Sequence, residues 1–112
     1  MEKKKVGIIR CQQAEDLCPG TSCFRSALNG EKGFESVGPC EIIGFVTCGG
    51  CPGKKVIQRA RMMIQRGAEV IALGACISKG NPIGYPCPFF EKIKELLQKN
   101  FGKEVIILEY TH

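Results

Sequence analysis

No stretch of this chain stays apolar long enough to cross a membrane. A spanning helix needs ~18 apolar residues in a row, and nothing here approaches that. The basic start MEKKKVGIIRCQQ carries an apolar stretch of only Val6 to Ile9, too short for the core of a secretory signal. The sequence therefore reads as cytoplasmic, with no membrane partner. Aromatic residues are few, with no tryptophan, two tyrosines and six phenylalanines. They form no aromatic-and-basic stacking platform, so nucleic acid is not an expected partner. Internal repeats and low-complexity segments are missing too. There are no paired carboxylates, and the single histidine has no serine partner, so no catalytic constellation stands out. The segment GGCPGKK lacks the longer spacing and the Ser or Thr after Lys that a phosphate-binding loop requires.

What remains is an ordinary soluble composition, 44% apolar and 24% charged, over 112 residues. That length predicts one domain spanning 1–112, with enough buried surface to fold without staples. Sixteen basic and eleven acidic residues leave a net charge of +5. The excess is read as a mildly basic surface, or as charge that offsets a cluster of thiolates.

The unusual component is sulfur. Eight cysteines in a short chain suggest a disulfide framework only when the protein is secreted. In a reduced compartment, metal binding or thiol redox chemistry explains them better. Their placement supports this. Four apolar runs end in a soft ligand: VGIIRC at Cys11, EIIGFVTC at Cys48, EVIALGAC at Cys76 and VIILEYTH at His112.

The runs alternate with helical patterns, which predicts an α/β fold. The expected strands are Val6–Cys11, Glu41–Thr47, Val70–Ala75 and Val105–Tyr110, and the expected helices are Ser22–Asn29, Gly53–Arg66 and Phe89–Asn100. In the second helix Val56, Ile57, Ala60, Met63 and Ile64 share one face. In the third, Phe90, Ile93, Leu97 and Phe101 do. The simplest assembly is three-layered: a four-stranded, mainly parallel sheet in the order 2-1-3-4, flavodoxin-like, with helices on both faces.

In such sheets, sites form outside the carboxyl ends of the strands. Cys11, Cys48, Cys76 and His112 would all arrive there, with Cys18, Cys23, Cys51 and Cys87 in adjoining loops or first helical turns. Cys40 opens the second strand, roughly 26 Å from Cys48 at ~3.3 Å per residue, and is expected to be a buried or edge thiol without a ligand role. The motif CGGCPGKK, Cys48 to Lys55, carries a C-x-x-C pair that can bind one metal or form a small disulfide. Pro52 is expected at the first helical position, where the helix start would favour thiolates.

Taken together, CGGCPG after a strand, VGIIRC with CPGTSCF behind it, a cysteine after the third strand and a terminal TH resemble the CGGC-domain family. The resemblance covers nearly the whole chain. It implies metal binding, zinc first, with Cys11, Cys18, Cys23, Cys48, Cys51, Cys76, Cys87 and His112 as the matching positions. An iron–sulfur cluster is the competing cofactor, since Cys-Pro steps at Cys18, Cys51 and Cys87 also occur in ferredoxin ligand runs and so many thiols exceed what one zinc ion uses. The expected function is thiolate metal binding for metal handling, redox sensing or electron transfer, with a metal ion or cluster and a redox protein as partners. The rival is a thiol–disulfide redox protein using Cys48 and Cys51. A scaffold with inert cysteines is a third possibility.

Overall fold

The computed structural model describes residues 3–14, 16–80 and 83–112. Four strands, β1 (Lys4–Arg10), β2 (Cys40–Thr47), β3 (Val70–Leu73) and β4 (Ile106–Leu108), form one sheet in the order β2-β1-β3-β4. All three pairings are parallel. This is the expected α/β topology.

The two central strands are buried on both faces, which explains why their sequences run apolar without alternation. Ile9, Ile71 and Leu73 face one side and pack with α2 (Val56–Gln65) and α4 (Phe90–Phe101). Val6, Ile8, Val70 and Ala72 face the other and pack with α1 (Thr21–Asn29) and Phe34. Each fully buried Ile or Leu contributes roughly 1.5–3 kcal/mol. The expected helical stripes are the ones buried: Val56, Ala60 and Met63 in α2, and Ile93, Leu97 and Phe101 in α4. Ile57, Ile64 and Phe90 are partly buried beside them.

Met63 sits unusually close to the sheet. Gly7 and Gly44 are register partners on β1 and β2. A Cβ added to either would lie 2.6 or 2.7 Å from the Met63 sulfur. The paired glycines form a notch that the methionine fills, and α2 packs down accordingly.

Three boundaries differ from expectation in ways that matter for the site. β3 ends at Leu73, and the chain turns at Gly74 into the short helix α3 (Ala75–Ser78), so Cys76 is helical rather than at a strand tip. α2 begins only at Val56, because Gly49, Gly50 and Gly53 all have positive φ and keep the preceding segment in turns. Pro52 therefore lies in the loop, after a cis bond from Cys51, and not at the first helical position. β4 is also shorter than its apolar run, which leaves Glu109–His112 outside the sheet. Among the described residues, no helix is long and apolar enough to cross a membrane.

Candidate metal centre

Hydrogen bonding continues past the strand tips and aligns the residues that follow. The Cys48 N–H donates to the Arg10 carbonyl at 2.8 Å, and the Gly74 N–H donates to the Ile9 carbonyl at 2.8 Å. Cys11 and Cys48 thus leave the sheet side by side. The turn at Gly74 brings Cys76 back toward β1, where its sulfur accepts a hydrogen bond from the Cys11 N–H at 3.1 Å. A Cβ on Gly74 would come within 3.2 Å of that sulfur and 3.3 Å of Arg10 Cβ, so the turn leaves little space for a larger residue.

The CGGC loop is held from below. Arg59 Nη1 donates to the Thr47 carbonyl at 2.9 Å and to its hydroxyl at 3.0 Å, while the Gly49 N–H reaches the same hydroxyl at 3.3 Å. Cys48 is buried and Cys51 is exposed. A hollow of ≈ 380 Å³ is bordered by Cys11, Cys48 and Cys51 together with Asp16. A smaller one of ≈ 100 Å³ is bordered by Cys11, Cys51, Cys76 and Cys87, with Ile83, Tyr85 and Pro88 supplying apolar walls. Cys11 and Cys51 belong to both. A roomier hollow of ≈ 670 Å³ opens elsewhere, between Lys3, Lys5, Leu28, Glu41, Ile42 and Glu69, and contains no cysteine.

Burial raises the pKa of the Cys11 thiol from its ordinary 9.0, and the neighbouring Cys48 and Cys51 raise it further against the lowering effect of nearby backbone N–H groups. Cys76 is pushed up to about 11, first by burial and then by Cys11 and Cys23, despite its hydrogen bond from Cys11. Cys87 is raised by burial, then by Cys11, Cys51 and Cys48, while the Phe89 N–H lowers it. These thiols feel one another. No lysine or arginine is among the main influences on the three. Arg10 has a lowering effect on Cys23, where burial outweighs it, so the expected offset by basic residues is not seen in this group.

Three of the expected positions lie outside both hollows. Cys23 packs into the core on the α1 face, its sulfur 3.1 Å from the hydroxyl of Thr111, and burial raises its pKa first. Cys18 is half-buried, and its carbonyl accepts from the buried Arg10 guanidinium. His112 is held through its carbonyl by Lys79 at 3.2 Å. Burial, then Lys79 and Lys32, lowers its ring pKa. Cys40 is fully buried at the opposite end of β2, its thiol 3.4 Å from the Gly38 carbonyl.

Among the described residues, no three Cys, His, Asp or Glu side chains stand close enough to close on one ion. All eight cysteines are free. The geometry is an open gathering of thiols whose side chains must rotate to meet at a point. The sequence pattern also missed two residues that organise this edge. Arg10 is buried with its guanidinium 5.0 Å from the Phe45 ring. The fully buried Thr111 accepts from the Ala75 N–H at 3.2 Å, and its carbonyl accepts from Gly33 at 3.1 Å. Only the odd presence of an arginine at the end of an apolar strand hinted at the first, and only its place in the terminal TH marked the second.

The family model of the CGGC domain matches residues 5–112. Two curated relatives, both named as uncharacterized proteins of Methanocaldococcus jannaschii, are similar. One is 35% identical over 117 residues, covering 96% of this chain and 86% of the relative. The other is 36% identical over 65 residues, covering 57% of this chain and 94% of the relative. No solved structure matches.

Proposed function

This chain belongs to the CGGC domain family, and we propose that the thiols gathered at the carboxyl edge of its sheet bind a metal, as a zinc ion or an iron–sulfur cluster. One observation carries the reading: Cys11 borders both cysteine-lined hollows, and its N–H reaches the Cys76 sulfur. The donor chemistry fits, because soft thiolates select zinc and iron–sulfur clusters. So does the electrostatics. Buried thiols that raise one another's pKa keep their protons until a cation replaces them, and the cation then removes their repulsion. Cys11, Cys48, Cys51, Cys76 and Cys87 are the candidate ligands. Cys18, Cys23 and His112 stand at the periphery. A bound zinc ion supplies a closed thiolate centre, and a cluster supplies an electron store. The role is metal handling, redox sensing or electron transfer in the cytoplasm, by a single domain with a redox protein as partner.

A second reading has its own support. The CGGC pair presents one exposed thiol, Cys51, and one buried thiol, Cys48. That asymmetry suits an attacking and a resolving cysteine in thiol–disulfide exchange.

Purification without air, a visible spectrum and a count of metal and acid-labile sulfide per chain decide between these. Iron with sulfide identifies a cluster, and stoichiometric zinc with no colour identifies the ion. A metal-free protein that cycles between dithiol and disulfide supports the second reading and removes the first.

A further inference from the structure

One segment of this chain carries a net positive charge equal to that of the whole protein. From Ile42 to Ala68 there is no acidic residue, and there are five basic ones: Lys54, Lys55, Arg59, Arg61 and Arg66. The eleven other basic residues are matched by eleven acidic ones, so this segment holds the whole excess. It comprises most of β2, the CGGC loop and α2, and all five basic residues lie in the loop's end, α2 and the residue after it. Lys54, Lys55, Arg61 and Arg66 are exposed. Lys55 and Arg59 abut the loop itself: a Cβ on Gly49 would lie 3.0 Å from Lys55 Cβ and 3.2 Å from Arg59 Cζ. The loop that carries the exposed Cys51 thus meets Lys55 and Arg59, and Cys51 also borders a hollow. Asp16 is the acidic side chain bordering that hollow.

We propose that Cys51 reacts with small anionic disulfides, which the basic face of α2 and the residues preceding it draws in and selects. The proposal rests on the dithiol reading of the CGGC loop and specifies its substrate class. The Cys51 thiolate attacks one sulfur of the disulfide. The external S–S bond breaks, one half leaves as a thiolate that takes up a proton, and the other half stays on Cys51 as a mixed disulfide. Cys48, losing its proton, then attacks the Cys51 sulfur and expels the second half. Two protein thiols are oxidised to a disulfide, and the external disulfide is reduced to two thiols. Charge acts on the approach: a like-signed surface beside the reacting group raises the local concentration of oppositely charged reactants, by about tenfold or more at low salt.

Oxidised glutathione, net negative, and cystamine, net positive, test this on the protein as isolated. A Cys48→Ser variant traps the mixed disulfide, and peptide mass mapping locates it. The expected adduct is on Cys51, and the ratio of glutathione to cystamine rates falls about tenfold as salt shortens the reach of the charges. The exposed pair Lys54→Glu/Lys55→Glu should bring the ratio down at low salt, whereas Lys99→Glu/Lys103→Glu on and beyond α4 should leave it unchanged. A ratio indifferent to salt, a ratio unmoved by the first pair, or adducts at other cysteines overturns the proposal. Metal counted in the same preparations separates the two ideas. A metal-free protein that keeps the charge preference sustains this inference without the metal site, and a metal-replete one without the preference does the reverse.

Discussion

Cys40 and Cys48 sit at the two ends of the same strand region, both buried, and their surroundings have nothing in common. Cys40 lies in the apolar core of the α1 face, with its thiol directed at the Gly38 carbonyl. Cys48 follows the other end of β2 and shares a hollow with Cys11 and Cys51. Burial raises the pKa of Cys40 as it does that of Cys11. Low exposure and a reluctant thiol therefore do not mark a site. What distinguishes the candidate site is other sulfurs nearby, and the parallel sheet gathers these at its carboxyl edge.

The largest expected effect tests that contrast directly. Cys48→Ser or Cys11→Ser should weaken metal binding by more than about 100-fold, beyond the loss typical of an outer-shell partner. Cys40→Ser should leave metal content intact and cost about 1–3 kcal/mol of stability for its buried hydroxyl. Metal stoichiometry beside denaturant unfolding reads both, and equal occupancy in all three variants would dissolve the distinction.

Acidity sharpens the comparison next. With its pKa at about 11, the Cys76 thiol is protonated at neutral pH. A metal must displace that proton, so affinity should rise with pH, about tenfold per unit for each proton released. Chelator competition across pH measures the slope; a flat profile would mean that no thiol proton is displaced. In metal-free protein the same shift acts on folding. A thiol whose pKa is raised by folding lends stability that is complete below its ordinary 9.0 and is lost as pH climbs through about 11. Unfolding free energy should therefore fall over that window.

The smallest effect separates the two faces of the sheet. Thr111→Val keeps the shape but removes the hydroxyl that serves Cys23 and the Ala75 N–H. A loss of about 1 kcal/mol in stability is expected, with metal content retained. Loss of the metal together with the hydroxyl would make the α1 face part of the site.

Much of this was legible because strand period and strand ends are strong signals. Apolar runs ending in cysteine gave the carboxyl edge, and the strand–helix alternation gave the sheet order. The loop and tail residues were not legible in the same way. Cys23 and Cys87 both lie near helix starts, yet the register of α1 turns Cys23 into the core, while Cys87 faces the hollow. His112 follows an apolar run, but β4 pairs for only three residues and the tail leaves the sheet. The glycines of the CGGC loop each suit a turn individually; their combined positive φ values, which delay α2 to Val56, emerge only from the folded chain.

The notch formed by Gly7 and Gly44 has a consequence for the chemistry above it. Because a methionine fills that notch, the height of α2 over the sheet is fixed within the strands, four residues before Cys11 on β1 and four before Cys48 on β2. The CGGC loop is the leader of that same helix, so it rides at whatever height the helix takes. Two missing side chains on the floor of the molecule thereby act as a spacer, setting how near the loop's sulfurs can come to those of its neighbours.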